Sequence, residues 1–144
     1  MITIREMNIT DYEAMIQLWN HTEGMALSEA DSRDSIQRYL ERNSGCCYIA
    51  VHTDSDGTKS ELVGTLLAGH DGRRAYLYHM AVNPTYRGQG IARRMLDAST
   101  TALAAQGIDK AHLFVMDSNS SGQQFWRASG WEKRGTFGVF SKDL

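Results

Sequence analysis

Arg87-Gly88-Gln89-Gly90-Ile91-Ala92-Arg93-Arg94 sets arginines and glycines just ahead of a helical pattern of apolar residues. A helix that begins here leaves its first N–H groups without internal partners and carries the positive end of its dipole. Gly88 and Gly90 have no side chain, so an anion can lie against the backbone itself. Arg87, Arg93 and Arg94 add charge at the same point. The chemistry this suits is the binding of a pyrophosphate; a tight turn carrying solvated arginines is the alternative reading of the same residues. It is not a Walker A loop, because no Gly-Lys-Ser/Thr follows. It is not a dinucleotide fingerprint either, because Arg93 stands where that motif needs a third glycine.

Other reactive side chains are dispersed. The five histidines (His21, His52, His70, His79, His112) are scattered, and neither CxxC nor HExxH occurs, so no metal site is expected. Cys46 and Cys47 are adjacent. Neighbours on an extended segment point to opposite faces, so these two are expected to pack at a strand start and not to pair or chelate.

The elements that must position the loop fit one domain, residues 1–144, of 16.1 kDa. Such a chain buries a core without staples. A formal net charge of −2 gives no bulk attraction to nucleic acid or to a membrane surface. Arg73 and Arg74 flank the Asp71-Gly72 turn and read as a solvated hairpin tip. No apolar run approaches the ~20 residues of a membrane helix, and the expected compartment is the cytoplasm.

Ile2 and Ile4 alternate as a strand, and Thr10 to Glu13 matches a capping box ahead of a helix ending near Asn20. A second helix is predicted from Ser32 to Asn43. A meander of strands follows, at 46–51, 61–69 and 75–82, stopped by Asn83-Pro84. Ile91, Met95, Ala98 and Ala102 then share one helical stripe closed by Gly107. A strand at 111–116, a short helix at 123–129 and terminal strands at 131–133 and 137–141 complete the order βααβββαβαβ(β).

The stretch Met80-Ala81-Val82-Asn83-Pro84 followed by Arg87-Gly88-Gln89-Gly90-Ile91-Ala92 resembles the strand and the Arg/Gln-x-x-Gly-x-Gly/Ala loop of the GCN5-related N-acetyltransferases (GNATs). Asn119 to Trp131, with Phe125-Trp126 and Gly130-Trp131, is similar to that family's Asn…Phe-Tyr-x-x-x-Gly-Phe segment. The resemblance spans the chain in element order. It implies an α/β (α+β) fold with a mixed, mostly antiparallel central sheet, helices on both faces and central strands that splay. It also implies acetyl-CoA as cosubstrate and no metal. The backbone of Met80 and Val82 would bond the pantetheine arm, with the Val82 N–H polarising the thioester carbonyl. Gly88, Gln89, Gly90, Ile91, Ala92 and Arg93, with Arg87, would bind the pyrophosphate, and Asn119 would contact the pantetheine or the adenine-side arm.

The implied reaction is direct attack of an amine on the thioester. A primary amine has an ordinary pKa of about 10.4 and must be deprotonated, while the developing oxyanion needs a donor. Here the sequence departs from the family. Trp126 stands where many members carry a Tyr acid, and Phe114 where some carry a Glu base. An indole cannot supply such a proton. His79 and Tyr78 are the replacement candidates, expected on opposite faces of their strand.

Trp19, Glu23, Met25, Glu29, Asp31 and Asp34 lie in or flank the connection between the first two helices, which the resemblance implies borders the acceptor pocket, the acidic residues either attracting a cationic amine or simply favouring a helix N-terminus in a solvated loop. The expected activity is N-acetylation of a small-molecule or protein amine. The alternatives are a non-catalytic acyl-CoA-binding or sensory module, and an acyltransferase with another acyl donor or acceptor. The terminal strands around Phe137 and Phe140 would offer pairing in a homodimer.

Overall fold

Alternating apolar and polar residues make strands of the segments that carry them. In the computed structural model, which describes residues 1–144, these are β1 (Ile2–Glu6), β2 (Tyr48–Thr53), β3 (Ser60–His70), β4 (Ala75–Val82) and β5 (Ala111–Leu113). The helices are α1 (Tyr12–Asn20), α2 (Arg33–Arg42), α3 (Ile91–Ala105) and α4 (Ser120–Ala128). The chain forms two compact units, Met1–Phe114 with the sheet and the first three helices, and Val115–Leu144 with α4. No helix is long and apolar enough to cross a membrane.

The first unit is built on a five-stranded sheet of order β1-β2-β3-β4-β5. Every pairing is antiparallel except β4 with β5, which is parallel. A parallel neighbour needs a long crossover, and α3 supplies it. β5 pairs only with Ala75, Tyr76 and Leu77. From Tyr78 to Val82, β4 runs on with no strand along that edge, which leaves its outward backbone groups open.

Helices cover both faces. On one, Met15 and Trp19 of α1 and Ile36 of α2 pack with Cys47, Ile49, Leu67 and Ala81. Trp19 and Met15 are fully buried, each contributing about 1.5–3 kcal/mol of burial. On the other face, Ser99 of α3 donates to the Cys46 carbonyl at 2.7 Å. A Cβ on Gly64 would lie 3.0 Å from the Met95 methyl, which also places α3 there. The adjacent cysteines therefore serve opposite cores, both free thiols, as their adjacency predicted.

Three local expectations are corrected. The first cap is Asn8, not Thr10: Asn8 Oδ1 accepts from the Thr10 N–H while Asp11 accepts from the Asn8 N–H. This box starts a 3₁₀ turn at Ile9, and Arg5 pins Asp11 at 2.8 Å, so α1 begins two residues later than Thr10. β5 stops at Leu113, short of 116. The segments 131–133 and 137–141 are not strands, because no neighbouring strand satisfies their backbone.

In the second unit, Asn119 caps α4 by accepting from the Gly122 N–H at 2.9 Å. Phe125, Trp126 and Trp131 stack edge-on in sequence, with ring centroids 5.0 and 5.2 Å apart. Phe137, Val139 and Phe140 are exposed.

Candidate active site

β4 is interrupted where the sequence places its candidate chemistry. Leu67 of β3 faces Tyr78 and Thr65 faces Ala81, so His79 and Met80 together oppose one residue. This is a β-bulge. His79 adopts φ +52°, the sole non-glycine in the chain with a left-handed backbone. Such a conformation costs on the order of 1–3 kcal/mol and persists only where neighbours over-determine it.

Those neighbours are explicit. The Trp19 indole donates to Thr65 Oγ1 at 2.8 Å, and that hydroxyl donates onward to the His79 carbonyl at 2.9 Å. The His79 ring meets Trp19 edge-on at 4.7 Å. His79 Nε2 lies 2.7 Å from Asp31 Oδ1. Neutral hydrogen bonds contribute about 1 kcal/mol each and those to a charged group about 1.5–3, which together offset the strain.

The bulge also corrects the expectation that His79 and Tyr78 face opposite ways. Tyr78 opposes Leu67, which belongs to the α1/α2 core, and His79 packs against Trp19 of that same core. The extra residue breaks the two-residue alternation, so both side chains reach one face. Tyr78 is half-exposed there beside Tyr76 and Phe114, with ring centroids 6.4 and 6.5 Å away. Burial, then the neighbouring Tyr76, pushes the Tyr78 hydroxyl above its ordinary range. It is therefore protonated at neutral pH, a donor and not a base.

Past the bulge, the Asn83 N–H bonds the Val63 carbonyl at 2.8 Å. Successive amides of a strand point to opposite sides, so the Val82 N–H points away from β3, toward the edge β5 leaves open. The Val82 carbonyl on that side accepts from Arg87 Nε at 3.1 Å. Met80 lies on the same open stretch and is partly buried.

A 3₁₀ turn at Pro84–Tyr86 then leads into the glycine loop. Gly88 and Gly90 have φ of +80° and +77°, and a Cβ on either would meet nothing within 4 Å. Side-chain bulk is thus not what excludes other residues; the left-handed backbone is. Gln89 is exposed between them. The first intrahelical bond of α3 runs from the Arg94 N–H to the Gly90 carbonyl. The Ile91 and Ala92 amides therefore have no acceptor within the helix, and no side chain caps this end.

Two of the three arginines are engaged by strand carbonyls. Arg87 turns back to β4, and Arg94 reaches the Ile2 carbonyl of β1 at 3.3 Å. Arg93 stands exposed in the first turn of α3. Asn119 belongs to the second unit, its Oδ1 used by the α4 cap.

Sequence reasoning set Asp31 among acceptor-side acids and missed it as the partner of His79. Asp31 is 7% exposed. Its Oδ2 accepts from the Ser28 N–H at 3.0 Å, and its carbonyl accepts from the Tyr12 hydroxyl at 2.6 Å. The Ser28-x-x-Asp31 spacing carried the capping signal, but nothing local could reveal a partner 48 residues away.

The family model described as "Acetyltransferase (GNAT) family" matches residues 12–131. The chain belongs to the GNAT acetyltransferase family. A relative, an acetyltransferase of Pectobacterium atrosepticum, is 30% identical over 118 residues, covering 82% of this chain and 79% of its own. Among solved structures, Ard1 of Thermoplasma volcanium matches with a TM-score of 0.77 at 17% identity, over 93% of this chain and 84% of its own. The PaiA N-acetyltransferase of Thermoplasma acidophilum, in complex with coenzyme A, gives 0.75 at 22%, over 96% and 94%. These two likenesses establish the GNAT fold: a mixed, mostly antiparallel sheet with helices on both faces.

Proposed function

We propose that the protein transfers an acetyl group directly from acetyl-CoA to a primary amine of a small molecule or a protein. The observation that carries the reading is the bulge in β4. It holds an imidazole, in a strained backbone, beside a strand edge whose Val82 N–H is turned outward. The family match runs through both units, at residues 12–131, which supports one acetyltransferase domain. A solved relative of the same fold is bound to coenzyme A, which supports that cosubstrate.

The residues present fit such a ligand. Two glycines with left-handed backbones leave room for a phosphate, next to helix amides without internal acceptors. Arg87 and Arg93 lie beside them, and the edge of β4 from Met80 to Val82 can receive an extended arm. Acetyl-CoA, when bound, supplies an activated thioester.

The chain's own residues do the rest. An amine with an ordinary pKa of about 10.4 arrives protonated, and His79 takes that proton. The Val82 N–H donates to the carbonyl oxygen as negative charge develops there. Tyr78 keeps its proton at neutral pH and shares the face of His79, so it can donate to the departing thiolate.

The test is thiol release from acetyl-CoA in the presence of a panel of primary amines and short peptides. Turnover on at least one amine is expected. His79→Ala should lower kcat/KM by about 10²-fold or more, and Tyr78→Phe by less. Losses within about threefold in both variants would replace these residues by a water relay. Acetyl-CoA binding, seen as a thermal shift, without turnover on any acceptor would favour a non-catalytic acyl-CoA-binding module.

A further inference from the structure

Asp31 and His79 come from different elements and meet in a half-closed space. The carboxylate is 9% exposed and the imidazole 19%. Both carboxylate oxygens are engaged, Oδ1 with His79 Nε2 and Oδ2 with the Ser28 N–H. The Tyr12 hydroxyl fixes the Asp31 backbone, so neither the carboxylate nor its segment is free to rotate away. A carboxylate only accepts hydrogen bonds, so the contact at 2.7 Å requires the proton on Nε2. The other ring nitrogen, Nδ1, has no protein partner and is not sealed from solvent.

From this arrangement we propose that Asp31 is the positioning residue of the proton-accepting site: it pins His79 as the Nε2–H tautomer and leaves Nδ1 as the nitrogen that receives the amine's proton. The inference rests on the reading of His79 as the base. It explains why the bulge is clamped from both ends. Thr65 holds the His79 backbone, Asp31 holds its ring, and Trp19 fills the space between. It also ties the segment between α1 and α2 to the reacting strand, because the Ser28–Asp31 turn cannot unwind without releasing the imidazole.

Histidine-selective ¹⁵N NMR of the wild-type protein at alkaline pH tests the tautomer without any ligand or variant. A single His79 form with protonated Nε2 and bare Nδ1 is expected. A mixture of tautomers, or a proton on Nδ1, would overturn the proposal.

Kinetics with the fastest amine of the panel supply the second arm. Asp31→Asn keeps an oxygen for the Ser28 cap but turns an amide NH2 toward Nε2, which favours the proton on Nδ1 and so the opposite tautomer. It should lower kcat tenfold or more, by roughly the logic of tautomer loss in hydrolase triads, with KM for acetyl-CoA within about twofold. In Asp31→Asn/His79→Ala the loss should equal that of His79→Ala alone, because Asp31 acts only through the ring. A slow His79→Ala enzyme beside a normal Asp31→Asn enzyme sinks this proposal and leaves the base assignment standing. A normal His79→Ala enzyme sinks the base assignment, and this proposal with it.

Discussion

A single hydroxyl marks the one polar side chain of the first unit sealed without a partner. Tyr39 Oη is buried between α2 and β3 and makes no hydrogen bond. It lies so close to Gly69 that a Cβ there would come within 2.7 Å of it. An unpaired buried hydroxyl costs about 1–3 kcal/mol relative to water. Tyr39→Phe should therefore raise the thermal midpoint, or at the least leave it unchanged, in a calorimetric scan. A fall would mean that the hydroxyl has a partner in solution. At this scale the sequence was informative about His79 and Tyr78 as residue types and silent about their geometry. Apolar alternation cannot register one extra residue in Tyr78-His79-Met80, and the Asp31 contact depends on the packing of a distant turn.

Among the elements, those bounded by strong local signals were legible. β4 ends where Pro84 denies a ladder donor, and α3 starts at Ile91 after two glycines, both at the residues expected. α2 begins behind Ser32, whose hydroxyl accepts from the Ser35 N–H. α1 was misplaced because two capping boxes compete within six residues and Arg5, from β1, decides between them. The terminal strands failed for a different reason: apolar residues at 131–141 carry a strand pattern, but pairing is a property of neighbours. The α3 entry makes its own prediction. Gly90→Ala puts a Cβ on a residue with φ +77°. Open space surrounds it, so only the backbone preference opposes the change, by about 1–2 kcal/mol. The protein should fold with a slightly lower midpoint, and KM for acetyl-CoA should rise several-fold while kcat moves little. An unchanged KM would place the pyrophosphate elsewhere.

For the whole molecule, packing on both sides of the sheet is written into its response to alkali. Burial pushes the Cys47 thiol up to about 12, and it pushes Cys46 upward as well. Burial moves Tyr39 in the same direction. These groups hold their protons longer in the folded chain than in the unfolded one. Stability is then full below the unfolded thiol value, about 8.5, and is lost as pH rises toward the folded values. The urea midpoint should fall steadily between pH 9 and 11, and Cys47→Ala should flatten that fall; a pH-independent midpoint would contradict the burial of these three groups. At neutral pH neither cysteine should react with a thiol reagent until the protein unfolds. One feature of β4 separates architecture from chemistry altogether. The pairings on either side of the bulge, Leu67 with Tyr78 and Thr65 with Ala81, would both survive the removal of Met80. The shortened strand would close into a regular ladder, relieved of its left-handed residue and with the same helices on its two faces. Such a deletion variant would be a sound scaffold unable to aim an imidazole, so a chain of this kind can lose its reaction through one codon while keeping its shape.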